Sequence, residues 1–556
     1  MRYTLCAAAV LLFCRPAVAQ TSADPGHLNQ RFQPQPAQPS VGAPLETPIP
    51  SHPPVPSTAA AITFTLSSVS FDGNTVLPDS KLQALAAPYV GRKISLADVY
   101  ELVGKVTAAY RRAGYILSRA VVPAQRISDG HLRLQIVQGY VGKVTIEGDA
   151  GGARPYLQAY GERITADKPL TAEVLERELL LAGDLSGMRV RSVLTASPTM
   201  PGAADLTLAV TPKKIDAFLG VDNRGSRYLG PYEVQAGVFV NDVFGTGGRL
   251  GINGVVTPDD GPDVAYGGVT YDQPIGYNGV RLFVSANYAA TKPGSALRAL
   301  NTQGRALNGS AALSYPFIRS RDFNFLGSVT FAAQEVRSSN DVVQPLYDDH
   351  IRSISGQVFM NLLDDWGGYS SLSLSVTQGL PILGATKASD ANKSRVGASG
   401  DYTRANFEIS HQQPLGNRFT VVLSAAGQTS FNETLLASEQ FAIGGETYDR
   451  AFDPSEATGD SALVGRAEAR VDLFRGTHVL SGVQPYGFVE GGKLWQAHAL
   501  PGEPASTSLY SAGAGVRFTA FDRVNVDLEW AKPLERDVFG TNNENSRFFF
   551  SVSTNF

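Results

Sequence analysis

The sequence predicts two tandem α+β domains followed by a 16-stranded antiparallel transmembrane β-barrel. Three observations predict this class: an internal repeat of about 75 residues, a long series of short alternating strands after residue 214, and a last strand that ends on Phe556. In Arg547–Phe556 alternate apolar residues fall on one face, because successive side chains of a strand point to opposite sides. A chain that ends on such an aromatic residue is typical of an outer-membrane barrel that closes on itself.

The composition is compatible with a chain that crosses a membrane as strands. Of the 556 residues, 43% are hydrophobic and only 18% are charged, yet the mean hydropathy is −0.07. No stretch after residue 20 approaches the roughly 18 consecutive apolar residues that a spanning helix needs. A closed barrel is the other structure that pairs every backbone group in lipid, so strands are the expected spanning elements.

The first 19 residues have the features of a secretory signal peptide. Arg2 gives a positive start, Leu5–Phe13 is an apolar stretch, and Ala17–Ala19 forms a small-residue cleavage site. We therefore expect the mature chain to begin at Gln20, outside the cytoplasm.

The two cysteines of the chain, Cys6 and Cys14, both lie within this signal. The mature chain is therefore expected to have no disulfide, no thiolate metal site and no catalytic cysteine. The signal also holds two arginines and no acid, which leaves 45 basic and 51 acidic residues and a net charge of −6. Such a mildly acidic chain gives no general reason to expect nucleic-acid binding.

Residues 20–61 form a linker that is poor in aliphatic residues and rich in proline, glutamine and serine. This composition favours an extended, semi-rigid tether. A short helix around Pro25–Phe32 is a further expectation for this segment, and the residues leave open whether that helix plugs a pore.

The internal repeat consists of two copies with the order strand, helix, helix, strand, strand. The copies open with Val69–Gly73 and Val144–Gly148, and Ser95 and Thr171 are expected to cap their longer helices. The predicted segments are a signal at 1–19, a linker at 20–61, α+β domains at 62–139 and 140–213, and a barrel at 214–556.

The barrel region contains about sixteen candidate strands, and an even number suits a single-chain barrel. Alternation is clearest in Val280–Ala286, Phe323–Phe331 and Val524–Trp530, and turn-rich segments such as Pro258–Pro262 separate the strands. A large soluble β-sandwich or solenoid is the alternative for this region. The predicted strands begin near Ala217, Glu233, Arg249, Ala265, Val280, Ala306, Phe323, Ser353, Ser371, Arg404, Arg418, Leu463, Pro485, Leu509, Arg523 and Arg547.

Three sequence blocks carry a resemblance to a known family. They are Gly114–Gln125 with Asp129–Gly130 and Val137–Gly139, then Phe441–Gly445 with Tyr448–Phe452, and finally Tyr486–Trp495. With these blocks, the mature chain resembles the outer-membrane transporters of two-partner secretion, the TpsB or haemolysin-activator type of ShlB, FhaC and HecB.

The resemblance implies a location and a set of partners. It implies two periplasmic POTRA domains joined to a 16-stranded barrel in the outer membrane of a Gram-negative bacterium. It also implies a large secreted TpsA-like partner, contact with outer-membrane lipid, insertion by the barrel-assembly machinery, and no cofactor.

The resemblance also assigns a lock to the tip of the sixth barrel loop. Arg450 is expected to pair with Glu490, which stands where the family usually has aspartate, while Asp449 and Ala451 replace the usual valine and glycine. Charge reversal at either partner is expected to impair secretion, and the double swap to restore it in part. A pair that merely stabilises the barrel is the alternative. The other residues of the lock and of the barrel-strand motif are Gly444, Gly445, Tyr448, Phe452, Phe488 and Gly492.

A second site is expected on the first POTRA domain. Its predicted strands Tyr115–Pro123 and His131–Val137 could accept an unfolded client as an added strand. Core packing is the alternative role for each of their residues. The candidate client-binding residues are Tyr115, Leu117, Arg119, Val121, Pro123, Gln125, Leu132 and Leu134.

The sequence contains no catalytic constellation. Its seven histidines are scattered without metal-ligand spacing, and the serines lack a nucleophile-elbow context. The expected function is a pore that exports an unfolded partner through a polar lumen, with partner folding outside the cell as the drive. A barrel-assembly factor and a passive porin are the alternatives.

Overall fold

The computed structural model describes residues 23–35, 38, 56–127, 129–258, 263–476, 479–535 and 544–556. The predicted signal at 1–19 and most of the linker lie outside these residues. The described chain forms two compact units, namely a barrel that includes the segment 23–38 and a pair of α+β domains. Among the described residues, the first helix of the barrel unit is the short α1, Pro25–Phe32, at the position that the sequence predicted. Among the described residues, no helix is long and apolar enough to cross a membrane.

The first α+β domain has the predicted order of elements with a small two-stranded sheet added. Its elements are β1 (Thr63–Thr65), β2 (Ser68–Asp72), α2 (Asp79–Ala86), β3 (Lys93–Ser95), α3 (Leu96–Arg112), β4 (Arg119–Val121) and β5 (His131–Val137), of which β1 and β3 form the added sheet. Ser95 caps α3 as predicted, because its Oγ accepts from the Asp98 N–H while the Asp98 carboxylate accepts from the Ser95 N–H. In the main sheet β5 lies between β2 and β4, and fully buried Val99 and Val106 of α3 belong to its core.

The second α+β domain repeats this arrangement without the small sheet. Its elements are β6 (Tyr140–Glu147), α4 (Arg154–Ala166), α5 (Ala172–Gly183), β7 (Met188–Ala196) and β8 (Ala203–Pro212). Thr171 caps α5 as predicted, since its Oγ1 accepts from the Val174 N–H. The central strand β8 lies between β6 and β7, and its Leu206 and Leu208 are fully buried against the helices. The nine-residue β7 is therefore an edge strand of this sheet.

Antiparallel strands at sixteen positions close into the predicted barrel. The wall strands are β9 (Ile215–Asp222), β10 (Glu233–Asn241), β11 (Arg249–Val256), β12 (Val264–Ile275), β13 (Val280–Thr291), β14 (Gln303–Arg319), β15 (Phe323–Ser339), β16 (Tyr347–Leu363), β17 (Tyr369–Gly379), β18 (Thr403–Leu415), β19 (Phe419–Thr429), β22 (Ser461–Val471), β23 (Phe474–Arg475), β24 (Leu480–Trp495), β25 (Ser506–Ala520), β26 (Val524–Leu534) and β27 (Arg547–Asn555). Every predicted strand start lies in or beside an observed strand. The short β23 pairs with the same neighbour as β22, namely β24, so β22 and β23 together occupy one of the sixteen positions.

The two ends of the barrel differ in their connections. We call the end at which β9 begins the near end and the opposite end the far end. Short turns join strands at the near end, whereas the far end carries the longer connections. Two of these are loop 5, residues 380–402, and loop 6, residues 430–460, counted along the chain from the first far-end loop.

The wall has an apolar outside and a polar inside. Outward-facing Leu313, Val329 and Val376 are each 54% exposed. Inward-facing Asn324 and Asn361 are buried and hydrogen-bond to each other at 2.7 Å. Lipid can cover such an outer surface, and this alternation is what a membrane barrel requires.

The last strand closes the barrel against the first one. Five residue pairs join β27 to β9, and the chain end continues the ladder because the Phe556 N–H donates to the Ala217 carbonyl at 2.8 Å. Directly after β9, towards the far end, the side chain of Asn223 takes the place of a backbone partner for the last strand. Its Nδ2 donates to the Phe548 carbonyl at 2.9 Å, and its Oδ1 accepts from the Phe550 N–H at 2.7 Å.

Candidate functional site

Loop 6 folds back into the barrel. Its two arms pair as the short strands β20 (Phe441–Ile443) and β21 (Ala457–Gly459). After β20, Gly444 and Gly445 have φ angles of +106° and +88°, and a Cβ on Gly444 would lie 2.1 Å from the Asp453 carbonyl oxygen. Glycine alone fits this close approach without moving the backbone, so the glycine pair lets the loop turn sharply.

The tip of loop 6 packs against aromatic side chains of the wall. Tyr448 and Phe452 are 5% and 1% exposed, and both belong to one apolar cluster with Phe488 and Phe549. Tyr448 and Phe452 of the tip and Phe488 of the strand motif, all of them predicted site residues, therefore lie in one apolar cluster.

Arg450 extends from this tip into a group of three glutamates. Its Nε lies 3.3 Å from the Glu490 carboxylate, its Nη1 2.8 Å from Glu529 and its Nη2 2.9 Å from Glu468. The backbone N–H of Arg450 also donates to the Glu490 carboxylate at 2.5 Å. No side chain of the four is more than 3% exposed, so these charges are removed from water.

The strand motif supplies the surface on which Arg450 lies. The guanidinium carbon is 3.6 Å from the centre of the Phe488 ring, a cation–π contact. Gly492 faces the same interior, where a Cβ would lie only 2.3 Å from the Val464 Cγ1. The aromatic ring and the missing side chain therefore both favour close packing at this part of the wall.

The wall also holds each glutamate from the other side. Glu468 accepts hydrogen bonds from Arg470 at 2.7 Å and from Arg517 at 3.0 Å. The remaining partners are Arg224 and Tyr486 for Glu529, and Ser511 for Glu490. The three carboxylates thus form a fixed socket in the wall, and Arg450 is the group that loop 6 inserts into it.

Asp449, which replaces the usual valine, is an unfavourable member of this tip. It is fully buried, and neither carboxylate oxygen has a hydrogen-bond partner among the described residues. Burial, together with the nearby Glu490 carboxylate, raises the pKa of Asp449 to about 8. Its φ of +61° lies in the left-handed region, which asparagine also tolerates.

Asp449→Asn is expected to stabilise the purified barrel by about 1–3 kcal/mol at neutral pH, because an acid that must take up a proton on folding is replaced by a neutral amide of the same shape. Between the ordinary aspartate pKa of about 3.9 and the raised value, the native state holds a proton that the unfolded state has lost. Stability of the parent therefore falls as the pH rises towards about 8, and the advantage of the asparagine variant grows over the same range. Urea unfolding at three values of pH, one near each end of this range and one between them, measures the difference, and an advantage that does not change with pH would contradict it.

Helix α1 lies inside the barrel, and polar contacts hold both of its ends. Arg31 donates two hydrogen bonds to the Glu233 carboxylate, both 2.8 Å long. At the other end of α1, Asp24 caps the helix and accepts from the Tyr347 hydroxyl at 2.5 Å. The sequence predicted the helix, whereas its place in the barrel depends on partners that are hundreds of residues away.

Apolar and loop contacts complete the seat of α1. Leu28 is buried in a cluster with Tyr228, Val264 and Val336 of the barrel. The Gln30 Nε2 donates to the Ser438 carbonyl of loop 6 at 2.5 Å. Helix α1 and loop 6 therefore fill the interior together.

The predicted client-binding residues do not share one surface. Leu132 and Leu134 are fully buried on the central strand β5, so their prediction as client-binding residues is wrong: a strand with neighbours on both sides has no free edge. The strand predicted over Tyr115–Pro123 is also too long, since only Arg119–Val121 pairs as β4.

Two further residues of that set have structural contacts of their own. Gln125 follows β4 and satisfies the backbone of Arg133, accepting from its N–H at 2.9 Å and donating to its carbonyl at 2.7 Å. Leu117 packs against the core of the second α+β domain. Of the remaining candidates, Tyr115 is partly buried against the core of the first α+β domain, while Arg119, Val121 and Pro123 lie at or near the surface.

The described residues contain no group of three or more histidine, cysteine, aspartate or glutamate side chains that could hold a metal ion.

Comparisons with known proteins agree with this architecture. Residues 202–518 match the family described as haemolysin secretion/activation protein ShlB/FhaC/HecB, and residues 64–139 match the ShlB-type POTRA domain. The chain is 24% identical to the heme/hemopexin transporter protein HuxB of Haemophilus influenzae (strain 86-028NP), over 100% of this chain and 99% of that protein. It is 25% identical to the outer membrane transporter CdiB of Escherichia coli, over 84% of this chain and 79% of that protein.

Two solved structures share the fold. CdiB from Escherichia coli superimposes with a TM-score of 0.72 at 22% identity, covering 92% of this chain and 94% of that chain. BamA from Haemophilus ducreyi lacking POTRA domains 1–3 gives a TM-score of 0.51 at 15% identity, covering 89% and 100%.

Proposed function

The chain belongs to the haemolysin secretion/activation protein family ShlB/FhaC/HecB, and from this membership we propose that it is an outer-membrane pore that exports an unfolded periplasmic partner to the cell surface. The observation that carries the proposal is a closed barrel whose interior holds two inserts, α1 and loop 6, each held by an arginine that binds buried glutamate. POTRA domains lie in the periplasm, and β9 follows the second of them directly along the chain. The near end, at which β9 begins, therefore faces the periplasm, and the far end faces the outside.

The proposed partner is a large secreted protein of the TpsA type. HuxB and CdiB are named as transporters, which supports a transport role for this chain. The exposed apolar belt of the wall suits outer-membrane lipid, and the strand-closed barrel suits insertion by the barrel-assembly machinery. No nucleotide is expected to drive export, and folding of the partner outside the cell would prevent its return.

Client capture is proposed at the β7 edge of the second domain rather than at β4. An unfolded chain can add a strand to a free edge through backbone hydrogen bonds that tolerate many sequences. The β7 edge is nine residues long, whereas β4 has three residues and is followed by Gln125, which already occupies the backbone of Arg133.

A photo-crosslinking amino acid at Val193 of β7 is expected to capture the secreted partner during export. Val193 is 37% exposed on the edge strand. The same amino acid at Arg119 tests the first-domain edge, and Glu162 on the exposed face of α4 is the control. Strong crosslinking at Arg119 with none at Val193 would return the capture site to the first domain.

The export function itself is tested by comparing the secreted and outer-membrane proteomes of strains with and without this gene. Loss of one large secreted protein, with other barrels unchanged, is the expected result. The BamA likeness makes a barrel-assembly factor the second candidate, which predicts a general fall in outer-membrane barrels. A passive porin predicts no change in either fraction, and the inserts that fill the lumen argue against it.

A further inference from the structure

Asp460 lies at the far end of the barrel, where it joins three different loops. It is the residue between β21 and β22, and it is fully buried. The Arg395 guanidinium of loop 5 donates to its two carboxylate oxygens at 2.5 and 3.1 Å. The Leu435 N–H of loop 6 donates at 3.0 Å, and the Ala497 N–H, from the loop that follows β24, donates at 2.9 Å.

Arg395 makes further contacts that tie the same three loops together. Its Nη1 donates to the Leu435 carbonyl at 2.7 Å, and its Nη2 donates to the Gln496 Oε1 at 2.8 Å. Gln496 in turn donates to the Thr458 carbonyl at 2.8 Å. Loops 5 and 6 and the loop at residues 496–505 therefore form one lid, and Arg395 with Asp460 is its central ion pair.

The lid and α1 are neighbours, but the ion pair of Arg395 with Asp460 does not involve α1. A cavity of about 280 Å³ is lined by Asp24 and His27 from the α1 segment and by Arg395, Thr458 and Gln496 from the lid. Helix α1 is anchored elsewhere, through the bidentate contact of Arg31. The hydrogen bonds of the Asp460 group given above all join residues outside α1, so we expect them to persist when α1 is removed.

We propose that this lid is a second gate, in series with α1 and with the inserted tip of loop 6 at Tyr448–Phe452, and that the ion pair of Arg395 with Asp460 holds it closed. The proposal rests on the function proposed above, because a client that has passed α1 must still separate these loops to leave the pore. A buried ion pair resists opening as long as both partners are present, since separating them strands a desolvated charge. Moving Arg395 into water would also break its hydrogen bonds to the Leu435 carbonyl and to Gln496, so loop 5 would lose the ties that this side chain makes to both other loops.

The absence of cysteine from the predicted mature chain allows a direct test. The Ala437 N–H of loop 6 donates to the Ser394 Oγ of loop 5 at 2.9 Å, so Ser394→Cys with Ala437→Cys can tie the two loops by a disulfide. The matched control is Lys387→Cys with Asp390→Cys, a pair within one turn of loop 5 in which the Asp390 N–H donates to the Lys387 carbonyl at 3.0 Å. Folding of each variant is checked by the heat-dependent mobility of the barrel on gels.

Ion conductance in planar bilayers is measured for these pairs in the full chain and in a variant lacking residues 23–33. In the deletion variant we expect Arg395→Gln to raise the conductance several-fold, and the loop 5 to loop 6 disulfide to hold it low until a reductant is added. The control pair should show no response to the reductant. If the deletion variant does not fold, Arg31→Glu in the full chain replaces it as the background in which α1 is released.

Equal conductance with and without Arg395→Gln, together with no response of the crosslinked pair to reductant, would overturn the second gate. These readouts contain no client, so they are independent of the export function. In cells, the oxidised crosslink should also block export of the partner. The two proposals can fail separately. If the lid controls conductance but the strain secretes no partner, the gate is retained and the proposed export function is refuted.

Discussion

Arg450→Glu is expected to reduce export of the partner by about tenfold or more while the barrel still reaches the membrane. The new carboxylate would lie among Glu468, Glu490 and Glu529, and one unpaired charge in a buried cluster costs about 3–5 kcal/mol. Loop 6 would then leave its socket. Immunoblots of the partner in the medium measure export, and gel mobility of the unheated barrel reports folding.

Arg450→Lys is the matched control for this prediction. Lysine keeps the positive charge, but it cannot reach three carboxylates in the plane that a guanidinium spans. An intermediate level of export is expected. Full export by a folded Arg450→Glu barrel would show that the lock has no role in secretion.

The double swap of Arg450→Glu with Glu490→Arg is not expected to restore export, which revises the rescue predicted from the sequence. Swapping two members of a pair preserves the pair, but this site has two further acids. The glutamate introduced in place of Arg450 would still face Glu468 and Glu529, whose distances to the present guanidinium are 2.9 and 2.8 Å. Rescue to a level near that of the parent would indicate that Glu490 alone determines the lock.

Arg31→Glu is expected to open the pore to ions. The substitution places a carboxylate against Glu233, whose side chain is 3% exposed and now receives two hydrogen bonds from Arg31. Repulsion at this point should release α1 from the barrel and raise the bilayer conductance, as well as the sensitivity of cells to large antibiotics. The rise should be limited by the lid while the Asp460 contacts remain.

Two variants make the Arg31 experiment specific. Arg31→Lys keeps the charge and loses the bidentate geometry, so a smaller rise is expected. Combining Arg31→Glu with Glu233→Arg recreates an opposite pair and should restore the low conductance. Unchanged conductance in Arg31→Glu would mean that the apolar seat around Leu28 holds α1 without the ion pair.

Alternation along the chain was sufficient to predict the barrel. Each wall strand must place apolar residues towards lipid, so the period of two persists from β9 to β27 and marks every strand. The same alternation also marks the three glutamates of the socket. Glu468 and Glu529 lie on the inward face of strands near β24, as Glu490 does, and an acid inside a membrane strand requires a partner.

The seat of α1 and the lid could not be predicted in this way. Their contacts join residues that are far apart in sequence, such as Arg31 with Glu233 and Arg395 with Asp460, and no local pattern encodes such pairing. The errors at Leu132 and Leu134 have a simpler cause. Alternation shows that one side of a strand is buried, but it does not tell whether a strand lies at the centre or at the edge of its sheet.

The carboxamide of Asn223 lengthens the seam that closes the barrel. Five residue pairs join β9 to β27, and Asn223 follows directly after the last residue of β9. Its side chain accepts from the Phe550 N–H and donates to the Phe548 carbonyl of the last strand. These two hydrogen bonds continue the ladder beyond the end of the first strand, at the point where the two strands would otherwise begin to separate.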